Sequence, residues 1–484
     1  MSVSLEKFNE VYLRVKCEPD VAKELSEFFT FEVPNAKFMP SVRNRMWDGR
    51  IRLFSPTTGK IYLGLLPYVR RFLAENQHKI EYGEGLVPPR QLDRDLTVKF
   101  VRTLQKKDFT ARDYQIDAIH NILESDRGLI LSPTGSGKSF IIYALTRYFV
   151  EKLDNKKTLI VVPTTSLVEQ MYSDFADYGW SSDEHCHRIY AGSNKETPKD
   201  VVISTWQSIY KLDKRYFSQF GAVFVDECHL AKAKSLTGIM TKLHDCKYRI
   251  GLTGTLDGKE VHRLVLEGLF GICDQVTTTS ELVKKKVLSN LEIKCLVLEH
   301  TKSNKIKRTY QEEMDYLVSS KGRNLFLINL ISTLEGNSLV LAQYIEKHLI
   351  PLHELAITID KQVYLVYGST PTDEREEIRG LVENSKTDSV ILASYGTFST
   401  GINIKRLHNI VFASPYKSQI RVLQSIGRGL RVSKDKEMLK IFDISDNLMY
   451  NNKENYTLLH LKERVRLYNE QDFQYEIVPI KLKR

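Results

Sequence analysis

A run of small residues, Ser132-Pro133-Thr134-Gly135-Ser136-Gly137-Lys138-Ser139, follows the apolar segment 128–131 and opens a stretch with helical apolar spacing. Strand, tight turn and helix in that order make a cradle for phosphate. The small residues let successive backbone N–H groups turn inward, Lys138 supplies a point charge for the terminal phosphates, and the Ser139 hydroxyl reaches a magnesium ion. Ser132 stands where the general pattern has its first glycine. Such a loop needs a carboxylate for the metal and a base for water, and Asp226-Glu227 close another apolar run. Asp226 is expected to hold Mg²⁺ and Glu227 to orient or deprotonate the attacking water. Further along, Gln424, Arg428 and Arg431 fall a helical turn apart, and the two arginines offer positive charge where a transition state spreads negative charge over the γ-phosphate. Together these residues would bind and hydrolyse ATP. Cys228-His229 and His185-Cys186-His187 lack partners at ligand spacing, so zinc is not expected.

The elements that must position these residues follow from the patterning. Branched runs at 128–132, 158–163, 200–204, 222–226 and 248–253 alternate with amphipathic stretches, the rhythm of a parallel sheet with crossover helices. A second series runs through 338–342, 363–367, 389–394, 409–414 and 439–445, so two α/β domains in tandem are expected. The lysine-rich segment 277–307 between them reads as a solvated linker with one strand. Residues 1–97 read as a separate small α+β domain, with the start alternating apolar and polar residues like a strand. The expected boundaries are 1–97, 98–280, 281–450 and a C-terminal helical extension over 451–484, with a solvated helix as its default. With 484 residues, several cores are available. Lys plus Arg exceed Asp plus Glu by 70 to 60, a balance of +10 that modestly favours a phosphate-rich partner. The six cysteines form no C-x-x-C pair and fit reduced thiols in the cytoplasm, and no run approaches the roughly 18 apolar residues of a membrane span.

In order, PTGSGKS, VPTTSLVEQ, STWQS, DECH, TGT, SYGTFSTGINI and QSIGRGLR resemble motifs I to VI of superfamily 2 helicases, over residues 110–435. The resemblance implies two RecA-like parallel-sheet domains using ATP and Mg²⁺. It implies that Arg112 and Gln115 read the adenine, with Phe109 a candidate for stacking on it, and that Gly401 lies close to the nucleotide. Asn403 stands where many relatives carry an aspartate for the ribose. Pro163, Thr164, Thr165, Thr205 and Gln207, and in the second domain Gly368, Ser369 and Thr397, are implied to touch the sugar-phosphate track. Hydroxyls and backbone N–H groups suit that task, because they hold phosphates without reading bases. His229, Thr253, Gly254 and Thr255 are implied to couple hydrolysis to strand movement.

The N-terminal segment from Phe38 to Leu53 narrows the match, because it resembles the front domain of the UvsW-like helicases of phages, a group that is also similar in TYQEE, DECHLA and SYGxFSTG further along the chain. Arg43, Arg45, Arg50 and Trp47 combine phosphate attraction with a stacking surface, which suits duplex or branched DNA. The alternation of Arg50, Ile51, Arg52 and Leu53 equally fits a strand with one buried face, and Trp47 equally fits a core. UvsW-like proteins imply 3′ to 5′ translocation, branch migration of Holliday junctions, fork regression and R-loop unwinding in phage recombination, replication and repair. The implied partners are branched, duplex and single-stranded DNA and RNA–DNA hybrid, with no membrane and a monomer as default. Two alternatives stay open on the residues: an RNA-directed motor, and an annealing protein whose ATPase only regulates binding.

Overall fold

A computed structural model of the chain describes residues 2–482 apart from 34–35, 87, 106–108, 191, 231–232, 257–259, 302–304, 386, 398–403, 405, 415–418, 431, 433–435 and 437; the side chains of 230, 233, 372, 419–421 and 424 are likewise outside it. Strands β1 (Ser2–Lys7), β2 (Tyr12–Lys16), β5 (Lys60–Tyr62) and β6 (Lys79–Tyr82) form a mixed sheet in the order β5-β2-β1-β6, beside a short pair β3 (Thr30–Glu32) and β4 (Arg50–Arg52). In the β1–β2 pair, Val3, Leu5, Leu13 and Val15 alternate inward at the two-residue period of a strand, and helices Pro19–Phe28 and Leu66–Glu75 cover them with Val21, Leu25, Val69 and Leu73.

The first large sheet has strands β7 (Arg127–Leu131), β8 (Lys157–Val162), β9 (Cys186–Ile189), β10 (Val201–Thr205), β11 (Phe220–Val225), β12 (Tyr248–Thr253) and β13 (Cys273–Gln275), in the order β13-β7-β12-β11-β8-β10-β9. All pairings are parallel. Strands β10 and β11 are buried along their whole length, so they read as continuous apolar runs, as strands covered on both faces must. The helix Lys138–Lys152 buries Phe140 through Thr146 without a polar stripe, which marks it as internal.

The second large sheet is also all parallel: β14 (Asn290–Glu299), β15 (Ser338–Ala342), β16 (Gln362–Val366), β17 (Ser389–Ser394), β18 (Asn409–Phe412), β19 (Met438–Asn447) and β20 (Tyr475–Lys481), ordered β16-β17-β15-β18-β19-β14-β20. Two α/β lobes in tandem with a small mixed-sheet N-terminal domain is the architecture the patterning predicts.

Three details differ from expectation. The strand inside the supposed linker is β14, an interior strand of the second sheet that buries Cys295 through Leu298. The C-terminal stretch is not a solvated helix: helix Tyr456–Glu470 buries Leu461, Arg464, Leu467 and Tyr468, and β20 extends the sheet beside β14. Arg464 grips Asp443 with Nε and Nη2 at 2.8 and 2.7 Å, and the Tyr468 hydroxyl donates to the same carboxylate at 2.8 Å. Finally, the N-terminal domain has its own core but is one compact unit with the first lobe, Met1–Ser132 with Gly137–Val276; the other unit is Thr277–Arg484 with Pro133–Ser136. Leu264 completes the N-terminal core, and the buried Glu267 carboxylate accepts from Tyr68 at 2.7 Å and from Arg263 at 3.0 Å. Gly64 lies so close to this seam that a Cβ there would stand 2.1 Å from the Glu267 carbonyl oxygen.

Candidate functional site

Parallel strands all point their carboxyl ends one way, and ligands of such sheets bind outside those ends. In the first lobe, five neighbouring strands deliver the predicted residues in the sheet order β7-β12-β11-β8-β10. The phosphate loop follows β7, Thr253-Gly254-Thr255 end and follow β12, Asp226-Glu227 follow β11, Pro163-Thr164-Thr165 follow β8, and Thr205 ends β10. Segments far apart in sequence thereby become a row, with nucleotide candidates at one end and phosphate-track candidates at the other.

The loop's backbone is set by Gly135 and Gly137, at φ +83° and +85°, a left-handed conformation that a side chain strains. A Cβ on Gly137 would also stand 2.4 Å from Gln115 Nε2. Gln115, fully buried, receives the Arg112 N–H on its carbonyl oxygen at 2.9 Å and donates to the Gly137 carbonyl at 3.4 Å. Arg112 and Gln115 are thus drawn to the loop from the start of helix Asp113–Ser125. Phe109, the stacking candidate, packs at 4.6 Å from the ring of Phe140 and 5.6 Å from that of Tyr178.

Lys138 donates to the Ser132 carbonyl at 3.2 Å and lies 3.5 Å from the Glu227 carboxylate. Glu227 sits at φ +48°, an uncommon conformation for a residue with a side chain and one that gathers at functional sites. Its N–H donates to Asp226 at 2.9 Å. Burial, together with the neighbouring Glu227 charge, pushes the Asp226 carboxyl up to about 7 against the opposing pull of Lys138. His229, whose side chain is buried, has Nδ1 2.5 Å from the Thr253 hydroxyl and 3.5 Å from Glu227. Thr253 in turn donates to the Thr255 carbonyl at 2.8 Å. A continuous polar chain therefore runs from Lys138 through Glu227 and His229 to Thr253 and Thr255.

On the track side, Thr164 caps helix Thr165–Asp177 by accepting from Leu167 N–H at 3.3 Å, Gln207 donates to the Pro163 carbonyl at 3.3 Å, and Thr205 pairs with Ser208 at 2.9 Å. Thr165 and Gln207 are exposed. In the second lobe, Gly368 and Ser369 are exposed after β16, and Thr397 follows the adjacent β17 with its hydroxyl 2.8 Å from Ser394. Arg428 lies half-buried on helix Gln419–Gly429, and Gln424 belongs to the same helix. Gly401, Asn403 and Arg431, and the Gln424 side chain, lie outside the described residues.

The N-terminal arginine segment is a separate surface. Arg43, Arg45 and Arg50 are exposed, and Trp47 is half-buried with its indole N–H donating to the Arg50 carbonyl at 2.9 Å. Arg50 pairs with Glu32 at 3.0 Å, and Arg52 with Asp48 at 2.5 Å. Phe38 and Met46 stand exposed in the same segment. Reading the sequence missed Tyr178, whose hydroxyl lies 3.0 Å from that of Ser139; nothing local in Asp177-Tyr178-Gly179 announces this tertiary contact.

Two parallel-sheet lobes, a phosphate loop wired to an acidic pair, and a row of strand-end hydroxyls beside it fit the class of ATP-dependent helicases of superfamily 2. Three family models match along the chain: "DNA helicase UvsW, N-terminal" over residues 1–82, "Type III restriction enzyme, res subunit" over 108–258, and "Helicase conserved C-terminal domain" over 322–433. The ATP-dependent DNA helicase uvsW of Enterobacteria phage T4 is 32% identical, with 100% of each chain covered. The crystal structure of T4 UvsW superposes with a TM-score of 0.53 at 30% identity, again over 100% of both chains. The DNA 3′-5′ translocase XPB2 of Sulfurisphaera tokodaii is 27% identical over 70% of this chain and 82% of that one. The chain belongs to the UvsW family of phage helicases. Among its described residues, no helix is long and apolar enough to cross a membrane.

Proposed function

We propose that the chain hydrolyses ATP with magnesium to move 3′ to 5′ along one DNA strand, and that this motion remodels branched DNA: four-way junctions, stalled forks and R-loops. The observation that carries the reading is the row of five strand ends, in which the strands bearing nucleotide and phosphate-track candidates are adjacent, with Lys138, Glu227, His229 and Thr253 in one polar chain on the nucleotide side. A change at the nucleotide then reaches Thr253 and Thr255, the coupling candidates, through polar contacts. Thr164, Thr165, Thr205 and Gln207, with Gly368, Ser369 and Thr397, hold the backbone of one strand. The exposed Arg43, Arg45 and Arg50 beside Trp47 hold the duplex arm of a branch. Partners are single-stranded, duplex and branched DNA and RNA–DNA hybrid, met by a monomer in the cytoplasm of a phage-infected cell.

The residues present fit a magnesium ion. Ser139 offers a hydroxyl, and Asp226 a carboxylate that burial and Glu227 hold back from ionising, a cost that an adjacent divalent cation relieves. When bound, the ion would be held by Ser139 and Asp226 and would neutralise phosphate charge. Lys138 supports the terminal phosphate, Glu227 orients the attacking water, Arg428 and Arg431 supply charge to the transition state, and Gln424 joins them in the catalytic set. Arg112 and Gln115 hold the base and Gly401 approaches the nucleotide.

ATPase stimulation compared across single strand, duplex, fork, four-way junction and RNA–DNA hybrid tests the proposal. Branched DNA is expected to stimulate most, and Lys138→Ala to abolish turnover and unwinding while DNA binding persists. Annealing that survives Lys138→Ala, with no ATP-dependent unwinding by the wild type, would overturn it.

A further inference from the structure

Helix Thr165–Asp177 begins on the phosphate-track candidates Thr164 and Thr165 and ends at Tyr178, which caps its carboxyl end. At that cap the Tyr178 hydroxyl lies 3.0 Å from Ser139 Oγ, on the first turn of the helix that leaves the phosphate loop. The phenol cannot swing freely, because its ring is wedged among Phe109 at 5.6 Å, Phe140 at 5.4 Å and Tyr143 at 5.1 Å. The Tyr143 hydroxyl additionally reaches the Tyr178 carbonyl at 3.5 Å and takes a hydrogen bond from Arg147 at 3.0 Å. A fixed oxygen therefore stands beside the Ser139 hydroxyl, the candidate metal ligand of the loop.

A hydroxyl that gives a lone pair to a divalent cation becomes a stronger donor, and its hydrogen then needs an acceptor. We propose that Tyr178 is a positioning residue for the magnesium–nucleotide: its hydroxyl oxygen accepts the Ser139 hydrogen and so turns the Ser139 lone pairs to the metal. The inference rests on the reading of the loop as a magnesium–ATP site. It also gives helix Thr165–Asp177 a role, since one rigid element of thirteen residues carries both the strand contact and the group that seats Ser139.

The test is titration of the full chain with a fluorescent ATP analogue, with magnesium and with EDTA, for wild type, Tyr178→Phe, Ser139→Ala and the double variant. Tyr178→Phe keeps the ring and removes only the oxygen. Its expected effect is a loss of about fivefold in affinity confined to the magnesium arm, the scale of one hydrogen bond, and no further loss when added to Ser139→Ala. Equal losses in both arms would mean a merely packed ring and would overturn the proposal, as would unchanged or tighter magnesium-dependent binding. A wild type that binds the analogue equally with and without magnesium would overturn the underlying reading of the site, and the proposal with it.

Discussion

The phosphate loop corner and the N-terminal arginine segment both offer cations, yet they are built in opposite ways. Lys138 is 10% exposed and held between a carbonyl and a carboxylate, whereas the side chain of Arg50 is 50% exposed and that of Arg52 49%. Among the described residues, Arg43 and Arg45 have no ion-pair partner. Buried charge needs partners and acts through fixed geometry, while exposed charge acts by attraction that salt screens. Chemistry should therefore depend on single residues in the corner, and binding on the sum of residues in the segment.

The largest effect expected of this contrast is at Glu227. Glu227→Gln keeps the shape and removes the base, so turnover should fall by roughly 10²–10⁴-fold while nucleotide binding, read by the same fluorescent analogue, is retained. Turnover within tenfold of wild type would assign the water to another group. A smaller and more selective loss is expected one step along the chain. Thr253→Ala removes the hydroxyl that meets His229 and the Thr255 carbonyl. Strand unwinding should fall by about tenfold or more, with ATPase turnover changed far less, in paired assays on one fork substrate. Equal loss of both would show that Thr253 serves catalysis itself.

Asp226 sharpens the comparison through stability. Burial, with the Glu227 charge, pushes its folded carboxyl up to about 7 from an ordinary 3.8, so between those values the folded chain keeps a proton that the unfolded chain has released. Stability accordingly declines as pH climbs from about 4 to about 7 and stays reduced above. Asp226→Asn removes this penalty. At pH 8 without nucleotide the variant should melt a few degrees higher, by roughly 2–4 °C per kcal/mol gained, and the difference should vanish below pH 4. A variant that melts lower at pH 8 would show that the carboxylate is well paired as it stands. Higher stability with lost turnover is the pattern of a site whose strain serves function.

How much of this was legible beforehand divides along the same line. The loop and the acidic pair could be read because each is fixed by local backbone requirements, positive φ at Gly135 and Gly137 and exit from a buried apolar strand at Asp226, whereas the strand-end threonines were legible only through the resemblance of their motifs. What escaped was decided by contacts distant in sequence. Strand β20 has a mostly exposed, half-polar pattern and contains Pro479, features of an edge strand that alone do not announce a sheet. Arg464 looks like one more surface cation until Asp443 and Tyr468 close on it. Tyr178 reads as an ordinary aromatic at a helix end, and only the fold brings it to Ser139. Arg43 and Arg45 were the reverse case, since exposure makes their type and spacing nearly all there is to know.

The smallest expected effects belong to those two residues, and their additivity is the sharpest check on the contrast. A side chain held only by attraction contributes one phosphate contact, so removing it should lower affinity for a forked duplex by a few fold and reduce the slope of log affinity against log salt by about 0.9. Arg43→Ala and Arg45→Ala should each do this, and the double variant should show about twice the change in slope, because both are exposed and neither shares a partner. Basal ATPase without DNA should not move. If either single change removed most of the salt dependence, the segment would be a built site like the phosphate corner, with Trp47 and Arg50 holding one preferred geometry. If neither changed the slope, the duplex arm would be held elsewhere, and the N-terminal domain would act through its seam at Tyr68 and Glu267.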